Sequence, residues 1–400
     1  MYDAIVVGAR CAGSPTAMLL ARKGYRVLLV DRATFPKDTI STHVVWPTGV
    51  ARLKRWGLLD RVAASNCPTM RKVTLDVGPF ALTGSPPPAD GISEFFAPRR
   101  TVLDTILVEA AVQAGAELRE GCSVEEIMTD DGRVNGIRCR AEGESPLTET
   151  ASIVIGADGR HSIVAEAVKA PAYNAKPAMA CWYYTYWSGI SAEGPEFYSR
   201  PGRAFGLIPT NDGLACLPVA WTYKEFRQYR SDIEGNYLKT LELAPELYER
   251  VHQGKREERF VGTADLPNFF RKPMGPGWAL VGDAAYHKDL ITAQGISDAF
   301  RGAEALAEAL DAVFSGSETL EAAVERLERK PNEDVMPMYE FTCQWATLDP
   351  PPPAMQKLFS ALRGNEAERN RFIGTLAGTV PIQEFFSPQN MQRVISTAGS

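Results

Sequence analysis

Three short segments of this 400-residue chain carry residue types suited to holding a phosphate-bearing cofactor. The first is Gly8-Ala9-Arg10-Cys11-Ala12-Gly13, with Asp31 lying 23 residues after Gly8 and Arg32 beside it. Glycines at a strand-to-helix turn let backbone N–H groups approach a pyrophosphate, and the helix N-terminus behind them favours negative charge. An acidic side chain about 20 residues on can accept hydrogen bonds from an adenosine ribose. Arg10 stands where a second glycine is usual, so its side chain must swing outward or help to clamp negative charge. A plain βαβ turn without a ligand competes with this reading.

The second segment is Gly156-Ala157-Asp158-Gly159-Arg160-His161-Ser162. Alone, its Asp-Gly pair is an ordinary strand-ending turn. The third is Gly282-Asp283-Ala284-Ala285, with Gly295 twelve residues beyond Asp283. A carboxylate at a strand end can bind a sugar or ribityl hydroxyl. A helix starting at Gly295 can bring its N-terminus to the electron-rich end of a flavin ring. The order and contexts of the three segments carry more than any one of them.

These residues need strands and helices to position them. Residues 2–7 read as a buried parallel strand, 13–23 as a helix with Pro15 tolerated in its first turn, and 26–30 as a second strand. Helices are predicted over 47–56 and 101–115, where Val102, Leu103, Ile106, Leu107, Ala110 and Ala111 recur at helical spacing. Buried strands are predicted at 152–157 and 278–281, and a long helix at 296–314. From about 175 to 270, aromatic and β-branched runs alternate with turns, which predicts an antiparallel sheet. The run Trp182–Trp187 is expected to bury half its side chains as core, with the rest on the sheet surface or lining an apolar pocket. Pro350–Pro353 reads as a rigid connector.

With the motifs in this order, the chain resembles the p-hydroxybenzoate hydroxylase-like, FAD-dependent monooxygenases, whose relatives include geranylgeranyl reductases and flavin-dependent halogenases. The resemblance spans roughly residues 2 to 310. It implies an α/β, Rossmann-like FAD-binding fold with an inserted antiparallel substrate sheet and a helical C-terminal region. The implied division is a discontinuous FAD-binding domain at 1–72, 96–172 and 271–316, a substrate sheet at 173–270 and helices at 317–400. Cofactor contacts would fall on Gly8, Arg10, Gly13, Asp31, Arg32, Arg100, Asp158, Gly282, Asp283 and Gly295. Arg100 precedes Leu103 by three residues, as in a family element that reaches FAD. Asp158 would support the pyrophosphate region, and Asp283 the ribityl chain.

The activity implied is NAD(P)H-driven hydroxylation with O2, through a hydroperoxide at flavin C4a, of an aromatic or otherwise apolar small molecule. An FAD-dependent reductase of isoprenoid chains is the first alternative, and a non-catalytic flavin-binding protein the second. Leu290 replaces a proline usual in the family. The Trp-x-Trp-x-Ile-Pro signature of halogenases is absent, which disfavours halogenation.

Catalytic candidates are few. His43, in Asp38-Thr39-Ile40-Ser41-Thr42-His43, either contacts the flavin or nicotinamide ring or is a loop histidine satisfied by a carbonyl. His287 and Asp289 closely follow the third motif and either face the site or lie in a solvated loop. His161 is expected to shape its turn, and His252 to lie on the surface.

Composition excludes several other classes. Net charge is -6, which gives no global attraction for nucleic acid. Seven cysteines lack any Cys-x-x-Cys pair, so neither a metal site nor a dithiol centre is indicated. Their odd number fits reduced thiols in a cytoplasmic enzyme. No apolar run approaches the ~20 residues that span a bilayer, and the strand at Tyr2 leaves no room for a signal peptide. Oligomeric state is left open.

Overall fold

The computed structural model describes residues 1–397. Tyr2–Val7 forms a parallel strand between Val27–Val30 and Leu147–Gly156. Glu117–Arg119 extends this sheet on one side and Trp278–Leu280 on the other, again parallel. Tyr2–Val7 and Val27–Val30 read as nearly unbroken apolar runs because both their faces are covered. Ala4 and Val6 face the larger core with the helices Gly13–Arg22, Arg100–Gln113 and Gly295–Phe314. Ile5 and Val7 face a second core beneath the antiparallel strands Cys122–Asp130 and Arg133–Ala141. Every parallel strand thus ends on the edge where the three motifs lie.

The second large sheet is antiparallel through Ala180–Ser188, Ala215–Thr222, Arg203–Pro209 and Glu196–Arg200. It then recruits Val73–Asp76, which runs parallel to Glu196–Arg200, and Ala81–Gly84. Those two strands come from a stretch that sequence reasoning left unassigned. At four residues each they are too short to declare themselves, and the strand that joins them to the sheet, Glu196–Arg200, lies about 120 positions away.

The aromatic run corrects an expectation. Trp182 through Trp187 are all buried, not half of them. Helices Ile233–Leu241 and Pro245–Gln253 cover the face carrying Tyr183 and Trp187. The face carrying Trp182, Tyr184 and Tyr186 looks toward the motifs. A small sheet of Ala172–Lys176, Asn268–Arg271 and Tyr286–His287 straddles the lobe boundaries expected at 172/173 and 270/271.

The C-terminal part is helical: Leu320–Asp334, Met336–Trp345, Pro353–Leu362, Glu366–Leu376 and Pro388–Thr397. Pro350–Pro352 link two of these helices. Asn370 Oδ1 accepts the Ser85 N–H at 2.8 Å, tying these helices back to the second sheet. Among the described residues no helix is long and apolar enough to cross a membrane. All seven cysteines are free and buried.

Candidate functional site

Gly8 adopts φ +102°, and a Cβ there would lie 2.5 Å from the Ala157 carbonyl oxygen. A Cβ on Gly13 would lie 1.8 Å from the Gly8 carbonyl oxygen. Both positions therefore demand glycine on close approach alone. The contact with Ala157 also seats the second motif directly against the first. Gly282, at φ +63°, brings the third there too, since a Cβ would come 2.6 Å from that of Ala12. Three strand ends far apart in sequence thus meet at one turn.

Asp31 completes the turn. Its Oδ2 accepts the Ala9 N–H at 2.7 Å and its Oδ1 the Ala33 N–H at 2.8 Å. Each carboxylate oxygen keeps a lone pair for a further donor. Arg32 beside it is exposed.

Of the two orientations open to Arg10, the observed one is a salt bridge. Its guanidinium meets Asp104 Oδ2 at 2.9 Å and lies 5.4 Å over the Phe35 ring. Asp104, fully buried, also takes Arg100 through Nε and Nη2 at 3.0 Å each. Two guanidinium groups on one carboxylate leave a net positive charge at the glycine turn. Sequence reasoning missed Asp104. Its signal was available, as an acidic residue on the buried face of a helix four positions after a buried arginine.

Asp158 is used locally. Its Oδ2 accepts the Ile163 N–H at 2.7 Å at the start of the helix Ile163–Ala167, which Ser162 caps, while its Oδ1 is buried without a partner. Burial raises its pKa. His161 reaches across to Asp265, 2.5 Å away, instead of merely shaping its own turn. His252 is exposed, as expected. Asp283 is exposed beside the glycine turn. Gly295 is exposed and opens the 20-residue helix, whose first turn has no side-chain cap and whose N–H groups are available to an acceptor. The helix Gly13–Arg22 likewise lacks a side-chain cap.

These features fit FAD. A glycine cradle that no Cβ can enter and a buried net positive charge suit the pyrophosphate, and two uncapped helix N-termini suit electron-rich groups.

The remaining candidates lie around this cradle. His287 is buried, not solvated, with its Nδ1 on the Pro267 carbonyl. The solvated alternative fails because the small sheet folds this loop inward. Asp289 is buried too. Its Oδ1 takes the Trp182 indole N–H and the Ile291 N–H, both at 3.0 Å, and its Oδ2 has no partner. Burial pushes its carboxyl up to about 6. Lys288, also buried, pairs with Asp298, which Arg301 shares.

His43 is wholly buried. Its Nε2 lies 2.8 Å from the Tyr186 hydroxyl, not on a carbonyl. Burial pushes the imidazole down to about 3; Asp38 opposes the shift, and Arg100 and Arg99 add to it. In the unfolded chain His43 takes a proton below its ordinary value of about 6.5, whereas in the folded chain it stays neutral. Acid therefore favours unfolding across the window from 6.5 down to about 3, by about 1.4 kcal/mol per pH unit. Asp289 acts oppositely, since its raised pKa stabilises the fold below 3.8 and that contribution is lost as pH rises to about 6. A His43→Asn variant is expected to flatten the acid limb of a melting-temperature profile; an unchanged limb contradicts the assigned burial.

A cavity of about 920 Å³ borders the segment that leads into the helix beginning at Gly295. Its lining includes Thr42, Trp46 and Leu290–Ala293, the last four being the residues leading to Gly295. Phe197, Phe205 and Trp182 of the second sheet line one side, and Phe341, Trp345 and Phe359 of the C-terminal helices line the other. Pro350–Pro352 also border it.

Comparison with known proteins agrees with this geometry. The family described as FAD binding domain matches residues 1–331. A 1H-pyrrole-2-carbonyl-[peptidyl-carrier protein] brominase of Pseudoalteromonas luteoviolacea is 23% identical over 78% of each chain. A digeranylgeranylglycerophospholipid reductase of Methanosarcina acetivorans is 27% identical, over 82% of this chain and 80% of its own. The crystal structure of pqsL, a probable FAD-dependent monooxygenase from Pseudomonas aeruginosa, superposes with a TM-score of 0.71. It is 20% identical and covers 93% of this chain and 98% of its own.

Proposed function

We propose, from the premise that this chain belongs to the FAD binding domain family, that it is a monooxygenase using NAD(P)H and O2 on an apolar organic molecule. That it is an FAD-dependent oxidoreductase follows from the family and its relatives. The observation carrying the finer reading is the apolar cavity whose lining includes Leu290–Ala293, the segment that leads into the helix beginning at Gly295. A volume of about 920 Å³ is near the upper end for small-molecule sites, and aromatic walls exclude water from a reactive centre.

FAD supplies the redox and oxygen chemistry. The chain's own part is binding and orientation. In this reading Gly8, Gly13 and the Arg10–Asp104–Arg100 cluster hold the pyrophosphate. Asp31 and Arg32 lie at the ribose end, and Asp158 supports the turn from behind. Gly282 lets Asp283 reach the ribityl hydroxyls, and the helix opening at Gly295 stabilises negative charge on the ring. His43 and Asp289, each with an unpartnered buried atom, are the candidate groups for the reaction. His287 is the weaker candidate, because its Nδ1 is already bonded.

The test is product analysis under 18O2 with NAD(P)H and a panel of phenols, quinones and larger apolar aromatics. Incorporation of label supports hydroxylation. Unlabelled, halogenated product when bromide or chloride is added overturns it in favour of a halogenase. Saturation of an isoprenoid chain without oxygen overturns it in favour of a reductase. That second reading is favoured by the cavity's apolar lining and by the reductase relative. Asp283→Ala is expected to lose most bound flavin yet keep its melting curve, since the side chain is exposed. Full retention of the flavin absorbance contradicts its assigned role.

A further inference from the structure

One wall of the cavity of about 920 Å³ is a single face of the second sheet. Trp182, Pro218, Ala204, Phe197 and Leu75 all line it, and they come from five strands that are successive neighbours in that sheet. The register puts them on a common face. Trp182 stands opposite Ala220, and Tyr184 opposite Pro218. Ala204 stands opposite the same Ala220 and, on its other side, opposite Ser199. Phe197, two positions before Ser199, pairs with Leu75. Paired residues project to the same side of a sheet, as do residues two apart along a strand.

Neighbouring strands lie about 4.8 Å apart, so this wall is about 19 Å wide from its first strand to its fifth. A compact cavity of about 920 Å³ would be only about 12 Å across. The space is therefore elongated, and it runs across the strands. At one edge Leu290 and Ile291 pack with Trp182 and Ala204, and the Trp182 indole donates to Asp289. That edge adjoins the segment that leads to Gly295. Four strands away stand Leu75 and, just past the end of its strand, the half-buried Val77.

The wall is uncharged. Among the described residues the charged groups lining the cavity are Lys176, Glu340 and Asp349, none of them on these five strands. Lys176 and Glu340 pair with each other, and Asp349 is exposed. A charge carried along the wall would lose its hydration with nothing to replace it. A single compact ring would leave much of the apolar surface uncovered.

We infer that the molecule bound here carries an open apolar chain, of about 15 carbons at C–C bonds of about 1.5 Å, laid across the five strands with one end at Leu290–Ala293 and its tail at Leu75 and Val77. Those two residues set the length of chain accepted. The inference rests on the reading of this cavity as the substrate site, and it narrows that reading from apolar molecules in general to elongated ones.

The test is calorimetric titration of the FAD-loaded protein, without oxygen or NAD(P)H. Straight-chain alcohols of about 6 to 16 carbons are expected to bind more tightly by about fourfold per added methylene, with a plateau near 15. Geraniol and farnesol form a branched series, and the series that binds more tightly at equal length assigns the chain type. 1-Naphthol, a compact ring pair, is expected to bind more weakly than the longest alcohols by at least tenfold. Val77→Trp is expected to bring the plateau to shorter chains and to weaken the longest alcohols by about tenfold, at unchanged flavin content. The wild-type series decides the matter even where that variant does not fold. Affinity that stops rising at about 8 carbons, a naphthol that binds as tightly as the longest chain, or a plateau that Val77→Trp leaves in place overturns the inference while the monooxygenase reading stands. Binding of neither chains nor rings overturns the cavity as substrate site and the inference with it.

Discussion

Asp104→Asn is expected to destabilise the FAD-free protein by about 3–5 kcal/mol, and the FAD-loaded protein by less. Asp104 is fully buried and is the single carboxylate shared by Arg10 and Arg100. Removing one partner of a buried ion pair leaves uncompensated charge in a region of low dielectric, the costly case for such pairs. Here two guanidinium groups lose their anion at once. A pyrophosphate at the glycine turn offers them another, so the gap in melting temperature between apo and FAD-loaded protein should widen in the variant. The measurement is a pair of thermal melts, with and without saturating FAD. If the two forms lose equal stability, the arginines do not face the cofactor's charge, and Asp104 is only a core ion-pair member.

The second large effect is expected at Gly13. Its hypothetical Cβ falls 1.8 Å from a backbone oxygen, and backbone cannot move aside as a flexible side chain can. Gly13→Ala should cost about 3 kcal/mol or more. Where the chain still folds, the displaced turn should lose FAD almost completely. Gly364→Ala is the control, since nothing lies within 4 Å of a Cβ there. Its stability should stay within about 0.5 kcal/mol of wild type. Flavin absorbance per mole of purified protein reads the first effect, and denaturant titration the second. A Gly13→Ala protein with full flavin content would show that the turn relaxes and that the close approach is not needed for binding.

Much of the nucleotide-binding half was legible because its signals are local. The apolar run 2–7, the helix after Gly13 and the strand before Asp31 each carry their pattern within a dozen residues. The structure places them at Tyr2–Val7, Gly13–Arg22 and Val27–Val30. The strands Val73–Asp76 and Ala81–Gly84 were not legible. They are four residues long, and they join the sheet only through the pairing of Val73–Asp76 with Glu196–Arg200. The same holds for the aromatic run, whose period of two was readable but whose second buried face depends on helices 50 to 70 residues further on.

The site divides along the same line. Sequence by itself determined which residues could touch a dinucleotide, because glycine at a tight turn and a carboxylate at a strand end are demands of the backbone and of hydrogen-bond chemistry at those very positions. Only the tertiary structure decided that Arg10 turns to Asp104, that His43 leans on Tyr186, and that His287 and Asp289 are buried. Each of those outcomes depends on a partner between 20 and 143 positions away. Residue type limits what a side chain can bond to, but the solvent it loses and the charge it meets are set by segments that only folding brings near.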